Sequence, residues 1–421
     1  MGRIDRPLHG PPVADAPATR GGIGLAPWLV AAGTYVFAAT ATVSIAACEA
    51  GVVLAFVGVV VSLLLGRKRY RRTPLDLPLL LFAAAEVASL LVARDRAHAV
   101  RSLRGEWVLL FYPLFVQALD RGRVRRACNL LLAVAGLVAI YAVWQTIFGV
   151  DLVRHRPLER IGGLHIAIGF FDHHLTYGGS VLITTLSSLG LSRLPASPAA
   201  TGLRLASAAA QWLGLVVSFA RTAWAGFLAA TLGGSLVARG RARRVAVAAL
   251  ALGVLVAAVV PAIRERIGSP AALLDDPRVR LWHTALRIWV DHPILGAGMG
   301  AFKVLFPAYR VPGTYDATGN PHNEVLNILV NCGVVGLAAF GFLWVRFYRH
   351  AARAYRSLPA GDAARPILLA GMLVATGILV GGFGQCYLLD EEVAGLFWFV
   401  IAATMVTAET AAAGAQDLEG S

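Results

Sequence analysis

The chain has 421 residues, of which 57% are hydrophobic and only 15% are charged. Because soluble globular proteins are nearer half apolar and a quarter charged, this composition excludes an ordinary soluble domain and indicates a membrane protein. The formal net charge of +14 does not indicate nucleic-acid binding, since the basic residues stand between apolar blocks, as membrane topology requires.

Residues 1–25 are rich in Pro, Gly and Arg and lack an apolar core, so we expect a disordered tail here rather than a cleaved signal peptide. Apolar runs then follow at 26–46, 49–65, 75–93, 106–119, 128–149, 174–191, 204–219, 222–238, 245–261, 322–345, 366–384 and 391–408. A helix needs roughly 20 apolar residues to cross the hydrocarbon layer. Continuous apolarity without alternation favours helices over a β-barrel. The sequence therefore predicts an all-α polytopic membrane protein with about 12 transmembrane helices, in which the short run at 106–119 is tilted or re-entrant.

Arginine-rich segments at 67–72, 121–126, 239–244 and 346–365 fall on one side of these spans. The positive-inside rule makes that side cytoplasmic, together with both termini. The predicted order is a cytoplasmic tail at 1–25, nine spans over 26–261, an outer loop with an amphipathic helix over 262–321, three spans over 322–408 and a cytoplasmic tail at 409–421. Most of the polar residues that are candidates for binding or catalysis then lie on the outer side: Arg160, His173, His174, Arg221, Arg280, His322 and Asp390.

Arg221, in SFARTAW, separates two apolar runs with almost no loop between them. An arginine at the edge of a span is costly unless it is paired or hydrated, so it is a functional candidate. The alternative is an arginine that snorkels to the interface. We favour function, because a positive charge on the outer side gains nothing for topology.

The segment DDPRVRLWHTALRIWVD predicts a helix with Asp275 or Asp276 as its N-cap and Pro277 in its first turn. Its apolar stripe is predicted to be Trp282, Ala285, Leu286 and Trp289, and its polar face Arg280, Thr284, Arg287 and Asp291. Arg287 can pair with Asp291 one turn later. Arg280 has no such partner in the helix and is either an anion ligand or a surface charge. The glycines of the following GAGMG predict a tight bend against neighbouring helices.

Three histidines lie where apolar runs begin. His322, followed by Asn323, is a candidate for proton transfer, or alternatively a histidine that bonds backbone at a helix N-terminus. His173 and His174 would point about 100° apart on a helix, which disfavours a shared zinc site. Asp390, with two glutamates after it, predicts a helix N-terminus. The four cysteines are scattered, and a bridge between Cys48 and Cys386 is open if both lie near the outer surface.

In order and spacing these motifs resemble the O-antigen ligase and O-antigen polymerase superfamily of bacterial membrane glycosyltransferases. The resemblance is carried by GFFDHH before a span, the SFAR turn at Arg221, the Arg and Trp element followed by HPILGAG from Arg280 to Gly298, and the HN of His322 and Asn323. It implies a multi-pass inner-membrane enzyme with a GT-C-like fold whose active site faces the periplasm. Its donor would be a glycan on undecaprenyl diphosphate, its acceptor lipid A-core or another glycan, and its further partners membrane lipids. The resemblance implies metal-independent, inverting transfer without a cofactor.

The expected catalytic residues are Arg221 and Arg280, which would stabilise the diphosphate leaving group, and His322, which would act as the base. Arg160, His173, His174, Asn323 and Arg287 are the expected substrate-binding residues. One dominant outer loop favours ligase over polymerase, although Arg287 to Gly298 fits one polymerase-type Arg-x10-Gly element. A protein-glycosylating relative, a transporter of a lipid-linked substrate and a structural scaffold are the remaining alternatives; a transporter would show inverted repeats and charges at the midplane.

Overall fold

The computed structural model describes residues 24–192, 194, 196–237, 241–268, 276–313, 315 and 319–419. Within these ranges the chain is predominantly helical, and each of the predicted apolar runs is built on helix. The helices are α1 (Leu25–Thr40), α2 (Ile45–Leu64), α3 (Asp76–Ser89), α4 (Arg96–Arg104), α5 (Phe111–Ala118), α6 (Arg121–Phe148), α7 (His174–Leu191), α8 (Pro198–Val217), α9 (Arg221–Val237), α10 (Arg241–Val259), α11 (Pro261–Ile267), α12 (Pro277–Asp291), α13 (Ala301–Tyr309), α14 (Glu324–Ser357), α15 (Ala364–Gly381) and α16 (Glu391–Glu419).

Short elements complete the described chain. Two 3-10 helices span Gly105–Leu110 and Tyr387–Leu389. Strands β1 (Val150–Asp151) and β2 (Arg156–Pro157) form one antiparallel pair, in which Val150 lies opposite Pro157. Strands β3 (Arg160–Ile161) and β4 (Leu164–His165) form a second antiparallel pair, and its turn packs against α11.

Five of the described helices are long and apolar enough to cross a membrane: α2, α6, α14, α15 and α16. A sixth span is possible if α10 and α11, which meet at 95°, form one broken span. The all-α membrane architecture is therefore confirmed, whereas the count of about 12 spans stays a prediction. Much of the predicted outer loop at 262–321 is helical, in α11, α12 and α13, and its side of the membrane also stays a prediction.

The structure describes most of the predicted C-terminal tail and little of the predicted N-terminal tail. Residues 1–23 of the predicted tail lie outside the described residues. At the other end, α16 continues to Glu419, so the predicted tail at 409–421 is helical through that residue.

The membrane-length part of α16 is 89% buried, because α5, α7, α14 and α15 surround it. This helix is the centre of the bundle, and its Phe397, Trp398 and Phe399 are almost completely buried.

A break in α14 positions the segment after α12. Gly333 has φ 62° and ψ −159°, which interrupts the helix. The chain at 293–298 fills the break: Ala297 N–H donates to Val330 O at 2.7 Å, and Val334 N–H donates to Pro293 O at 2.9 Å. Gly296 also has a left-handed φ of 70° and lies against the backbone of Asn331. The predicted tight bend is confirmed, and it satisfies backbone groups that an interrupted helix would leave unpaired.

The register of α12 differs from the prediction. Its buried face is Leu281, Thr284, Ala285 and Ile288, which pack against α13 and α14. Thr284, placed on the polar face from sequence, is fully buried because its hydroxyl donates to Arg280 O at 2.9 Å. Leu286, placed on the apolar stripe, is exposed. A hydroxyl that bonds its own helix can face a core as readily as an apolar side chain.

Candidate active site

A tight turn between α8 and α9 brings Arg221 to the N-terminus of α12. Phe219 in this turn has φ 51°, a left-handed conformation that is uncommon for an aromatic residue. Arg221 follows as the first residue of α9, and its Nη2 lies 2.5 Å from Asp276 Oδ2. Both side chains are partly buried. Arg221 is therefore paired, with an acidic partner 55 residues away in sequence.

Asp276 connects Arg221 to a second arginine. Its Oδ1 accepts a hydrogen bond from Arg278 N–H at 3.0 Å, so Asp276 is the N-cap of α12; the alternative cap, Asp275, lies outside the described residues. Burial opposes ionisation of Asp276. The hydrogen bonds from Arg278 and Arg221 and the charges of both arginines outweigh it and lower the pKa of this carboxyl. Asp276 is therefore a carboxylate at neutral pH and holds the two arginines close together.

Arg278, which sequence reasoning did not select, joins this site to the segment before α16. Its Nη1 donates to Gly384 O at 2.8 Å. A signal was available: a cation in the first turn of a helix opposes the helix dipole, so its presence there indicates another purpose. The predicted residue, Arg280, instead runs along Gly313, whose added Cβ would lie 2.6 Å from Arg280 Cδ.

His322 meets the same segment from the other side. Its Nδ1 lies 2.8 Å from Gln385 Oε1, and its backbone N–H donates to Asn320 Oδ1 at 2.8 Å. The backbone of His322 is left-handed, with φ 48°. Gln385 directly follows Gly384, the partner of Arg278, so one short segment contacts both the arginine and the histidine. Arg221, Arg278 and His322 are thereby connected through Asp276, Gly384 and Gln385.

Asn323 holds this arrangement in place. Its Oδ1 caps α14 by accepting from Leu326 N–H at 3.0 Å, and its Nδ2 donates to Phe383 O at 3.0 Å. The next residue, Glu324, adds a backbone bond to Gly382 O at 2.7 Å. The structure thus gives the Asn323 amide two intramolecular partners, which position His322 against the segment at 382–385.

His173 and His174 lie together, contrary to the expected divergence of 100°. His173 is the N-cap of α7 with an extended backbone, and its Nδ1 accepts from Leu175 N–H at 3.1 Å. Only His174 is inside the helix, so helical geometry does not fix the angle between the two side chains. The ring centroids of His173 and His174 are 4.5 Å apart. Partial burial, together with the charges of Arg278 and Arg266, lowers the pKa of His173 despite the nearby Glu159. The imidazole of His173 is therefore neutral at pH 7.

Arg266 on α11 is a further cation that sequence reasoning missed. Its Nε donates to Phe219 O at 2.8 Å, which fastens the turn before Arg221, and its Nη2 lies 3.3 Å from His174 Nε2. Arg221 and Arg278 are both within electrostatic range of Arg266. We call Arg221, Arg266 and Arg278 the arginine cluster. Asp276 and Glu159 lie within electrostatic range of Arg266, and three guanidinium groups in range of one another suit an anion.

Two predicted binding residues are at the surface of the protein. Arg160, on β3, and Arg287, on α12, are exposed. The expected pair of Arg287 with Asp291 is not formed, since Asp291 instead accepts from Tyr309 Oη at 2.6 Å.

Asp390 caps α16 as predicted, and its other oxygen accepts from Thr176 at 2.5 Å. Cys48 and Cys386 are free thiols, so the open possibility of a bridge between them is not realised.

The matched part of the chain contains the whole arginine cluster. Residues 206–341 match the family described as O-antigen ligase. This match confirms the resemblance to the O-antigen ligase and polymerase superfamily and supports a transferase at the level of that family. It runs from α8 into α14 and includes Asp276 and His322, while Gln385 lies beyond it. No curated protein sequence matches this chain.

Proposed function

We propose that this O-antigen ligase-like protein transfers a glycan from undecaprenyl diphosphate to a sugar hydroxyl, with lipid A-core as the acceptor, at the periplasmic face of the inner membrane. The observation that carries the proposal is that Arg221 pairs with Asp276, within electrostatic range of Arg278, while Arg278 and His322 contact the adjacent residues Gly384 and Gln385. It supplies fixed cations and a base on one surface of the fold.

The arginine cluster would bind the diphosphate. As the glycosidic C–O bond breaks, its electron pair passes to a diphosphate oxygen, which gathers negative charge. Preorganised guanidinium groups stabilise such charge more strongly than they stabilise the ground state. We assign to Arg278 the role expected for Arg280, because the charges of Arg278 and Arg221 both act on the Asp276 carboxylate. With this stabilisation provided by side chains, we propose that transfer does not depend on a metal ion.

His322 would take the proton of the acceptor hydroxyl. If Nδ1–H donates to Gln385 Oε1, the tautomer places the basic lone pair on Nε2. The hydroxyl oxygen attacks the anomeric carbon as its proton moves to Nε2, and undecaprenyl diphosphate leaves from the opposite face. A single displacement of this kind inverts the configuration at the anomeric carbon.

Polymerase activity is the second candidate, because one Arg-x10-Gly element, Arg287 to Gly298, fits the polymerase pattern. In the structure Gly298 packs against Ala93, and Arg287 is exposed. Neither contacts the arginine cluster among the described residues, so this element does not extend the site. We therefore favour the ligase reaction. A transporter, the candidate from a different class, would move the same lipid-linked substrate without breaking its glycosidic bond.

Reconstitution with a purified undecaprenyl-diphosphate glycan would separate these functions. A ligase joins one glycan to lipid A-core and releases undecaprenyl diphosphate, whereas a polymerase gives a ladder of longer lipid-linked chains. Arg221→Ala should abolish product formation, while Arg287→Ala, an exposed arginine outside the cluster, serves as the matched control. Equal activity of these two variants would refute the role of the arginine cluster, and substrate movement without product would indicate the transporter.

A further inference from the structure

A cavity lies at the end of the bundle remote from the arginine cluster. It has a volume of about 220 Å³ and lies between α6, α7 and α8. From Arg204, beside the cavity, α8 rises about 20 Å to its end at Val217, next to the turn that carries Arg221. On α7 the cavity residue Ser188 is similarly distant from His174, about 20 Å along the helix. This cavity is therefore separate from the proposed active site.

The walls of the cavity are mainly aliphatic, and several of the polar side chains around it bond to each other or to backbone. Ser207 Oγ donates to Leu132 O at 2.6 Å, and Gln211 Nε2 donates to the same carbonyl at 2.9 Å. Ser188 Oγ donates to Gln211 Oε1 at 3.1 Å. Leu203 and Leu205 are lining residues that are also exposed on the outside of the bundle. An apolar cavity that opens towards the lipid-facing surface suits a hydrocarbon chain better than water.

One side of the cavity is cationic. Arg204 lines it, and its Nη1 donates to Leu194 O at 3.1 Å, which draws the guanidinium to the end of α8. A guanidinium has five N–H donors, so this bond leaves it able to donate to a second acceptor. Arg125 on α6 is within electrostatic range of Arg204. The first turns of α6 also carry Arg121, Arg123 and Arg126, so this end of the bundle attracts anions.

We propose that the cavity binds one anionic phospholipid, with an acyl chain between α6, α7 and α8 and its phosphate beside Arg204 and Arg125. Charge complementarity identifies the occupant: a zwitterionic lipid fills the same apolar space but brings its own cation to an arginine-rich surface. Basic pockets between membrane helices on the cytoplasmic side bind anionic headgroups in this way. The distribution of arginines predicts that this end of the bundle is cytoplasmic, opposite the face where a diphosphate donor would bind.

The test compares lipids on the full-length protein, purified in a neutral detergent and stripped of lipid. Thermal unfolding is measured while phosphatidylglycerol or phosphatidylcholine with identical acyl chains is titrated. Because ligands that bind the folded state raise its stability, the midpoint should rise at roughly tenfold lower concentrations of phosphatidylglycerol. Arg204→Gln should weaken the phosphatidylglycerol response about tenfold, as expected for one charge-assisted hydrogen bond. Arg349→Gln, at an exposed arginine of α14 outside the cavity, should leave it unchanged.

A second variant tests the apolar half of the site. Ala133 lines the cavity and is exposed, so Ala133→Phe has room to enter it and should reduce the response to both lipids. If Arg204→Gln does not fold, Ala133→Phe and the comparison of the two lipids still test whether the cavity binds an anionic phospholipid. Equal responses to both lipids, an Arg204→Gln protein that behaves like Arg349→Gln, or a full response to soluble glycerol phosphate would each overturn the proposal.

Discussion

Replacing Arg278 tests whether Arg278, as the structure indicates, or Arg280, as the sequence pattern indicates, stabilises the leaving group. The sequence favoured Arg280, whereas in the structure the Arg278 guanidinium donates to Gly384 O at 2.8 Å and its charge acts on the Asp276 carboxylate. Removing one preorganised donor from a developing negative charge costs about 3 to 4 kcal/mol, or roughly 10² to 10³ in kcat. Losing the bond to Gly384 O should also lower the local stability by about 1 kcal/mol. Arg278→Ala should therefore reduce kcat at least 10²-fold.

The assay is glycan transfer by purified protein in proteoliposomes, with undecaprenyl-diphosphate glycan and lipid A-core as substrates. Arg278→Lys keeps the charge but not the planar donor group, so its loss should be intermediate, about tenfold. Arg280→Ala is the matched control on the same helix and should stay within about threefold of wild type, since Arg280 packs along Gly313. Full activity of Arg278→Ala together with loss in Arg280→Ala would refute the assignment.

Three further outcomes follow from the same contacts. Gln385→Glu places a carboxylate beside His322 Nδ1 and should raise the pKa of that imidazole, so the acidic limb of the pH–rate profile should move to higher pH; an unmoved limb would remove Gln385 as the group that orients the base. Gly333→Ala should lower the yield of folded protein in detergent, because its φ of 62° is left-handed and an added Cβ would clash with Ile294 O; a normal yield and melting midpoint would show that the break in α14 is not required. Transfer should persist in a metal chelator, and activity that is lost and then restored by added Mg²⁺ would contradict the role given to the arginine cluster.

Sequence alone predicted the helices well. Continuous apolar runs bounded by arginines are strong signals, and the run at 174–191 coincides with α7. The predictions from sequence were wrong where the hydrogen bonds of a side chain override the periodicity of the helix. Thr284 is buried because its hydroxyl bonds its own helix, and His173 leaves the helix to become its N-cap. Local pattern does not encode either choice, because each depends on which partner the neighbouring elements present.

The site proposed from the structure shares Arg221 and His322 with the site predicted from the sequence and differs from it in their partners. Arg221 and His322 were selected because charged or titratable groups at the ends of spans need a reason to be there. Their partners, Asp276 and Gln385, lie 55 and 63 residues away in sequence, so no local spacing could identify them. Arg266 was missed for the same reason, since its contacts are to Phe219 and His174 on other elements.

The most direct measurement is a single-turnover reaction of the purified protein with an undecaprenyl-diphosphate glycan and lipid A-core, analysed by mass spectrometry. The account predicts one glycan joined to each acceptor, release of undecaprenyl diphosphate in equal amount, and loss of both products in Arg221→Ala and Arg278→Ala proteins that remain folded. Normal product formation by either variant, or donor that stays intact with wild-type protein, would contradict it.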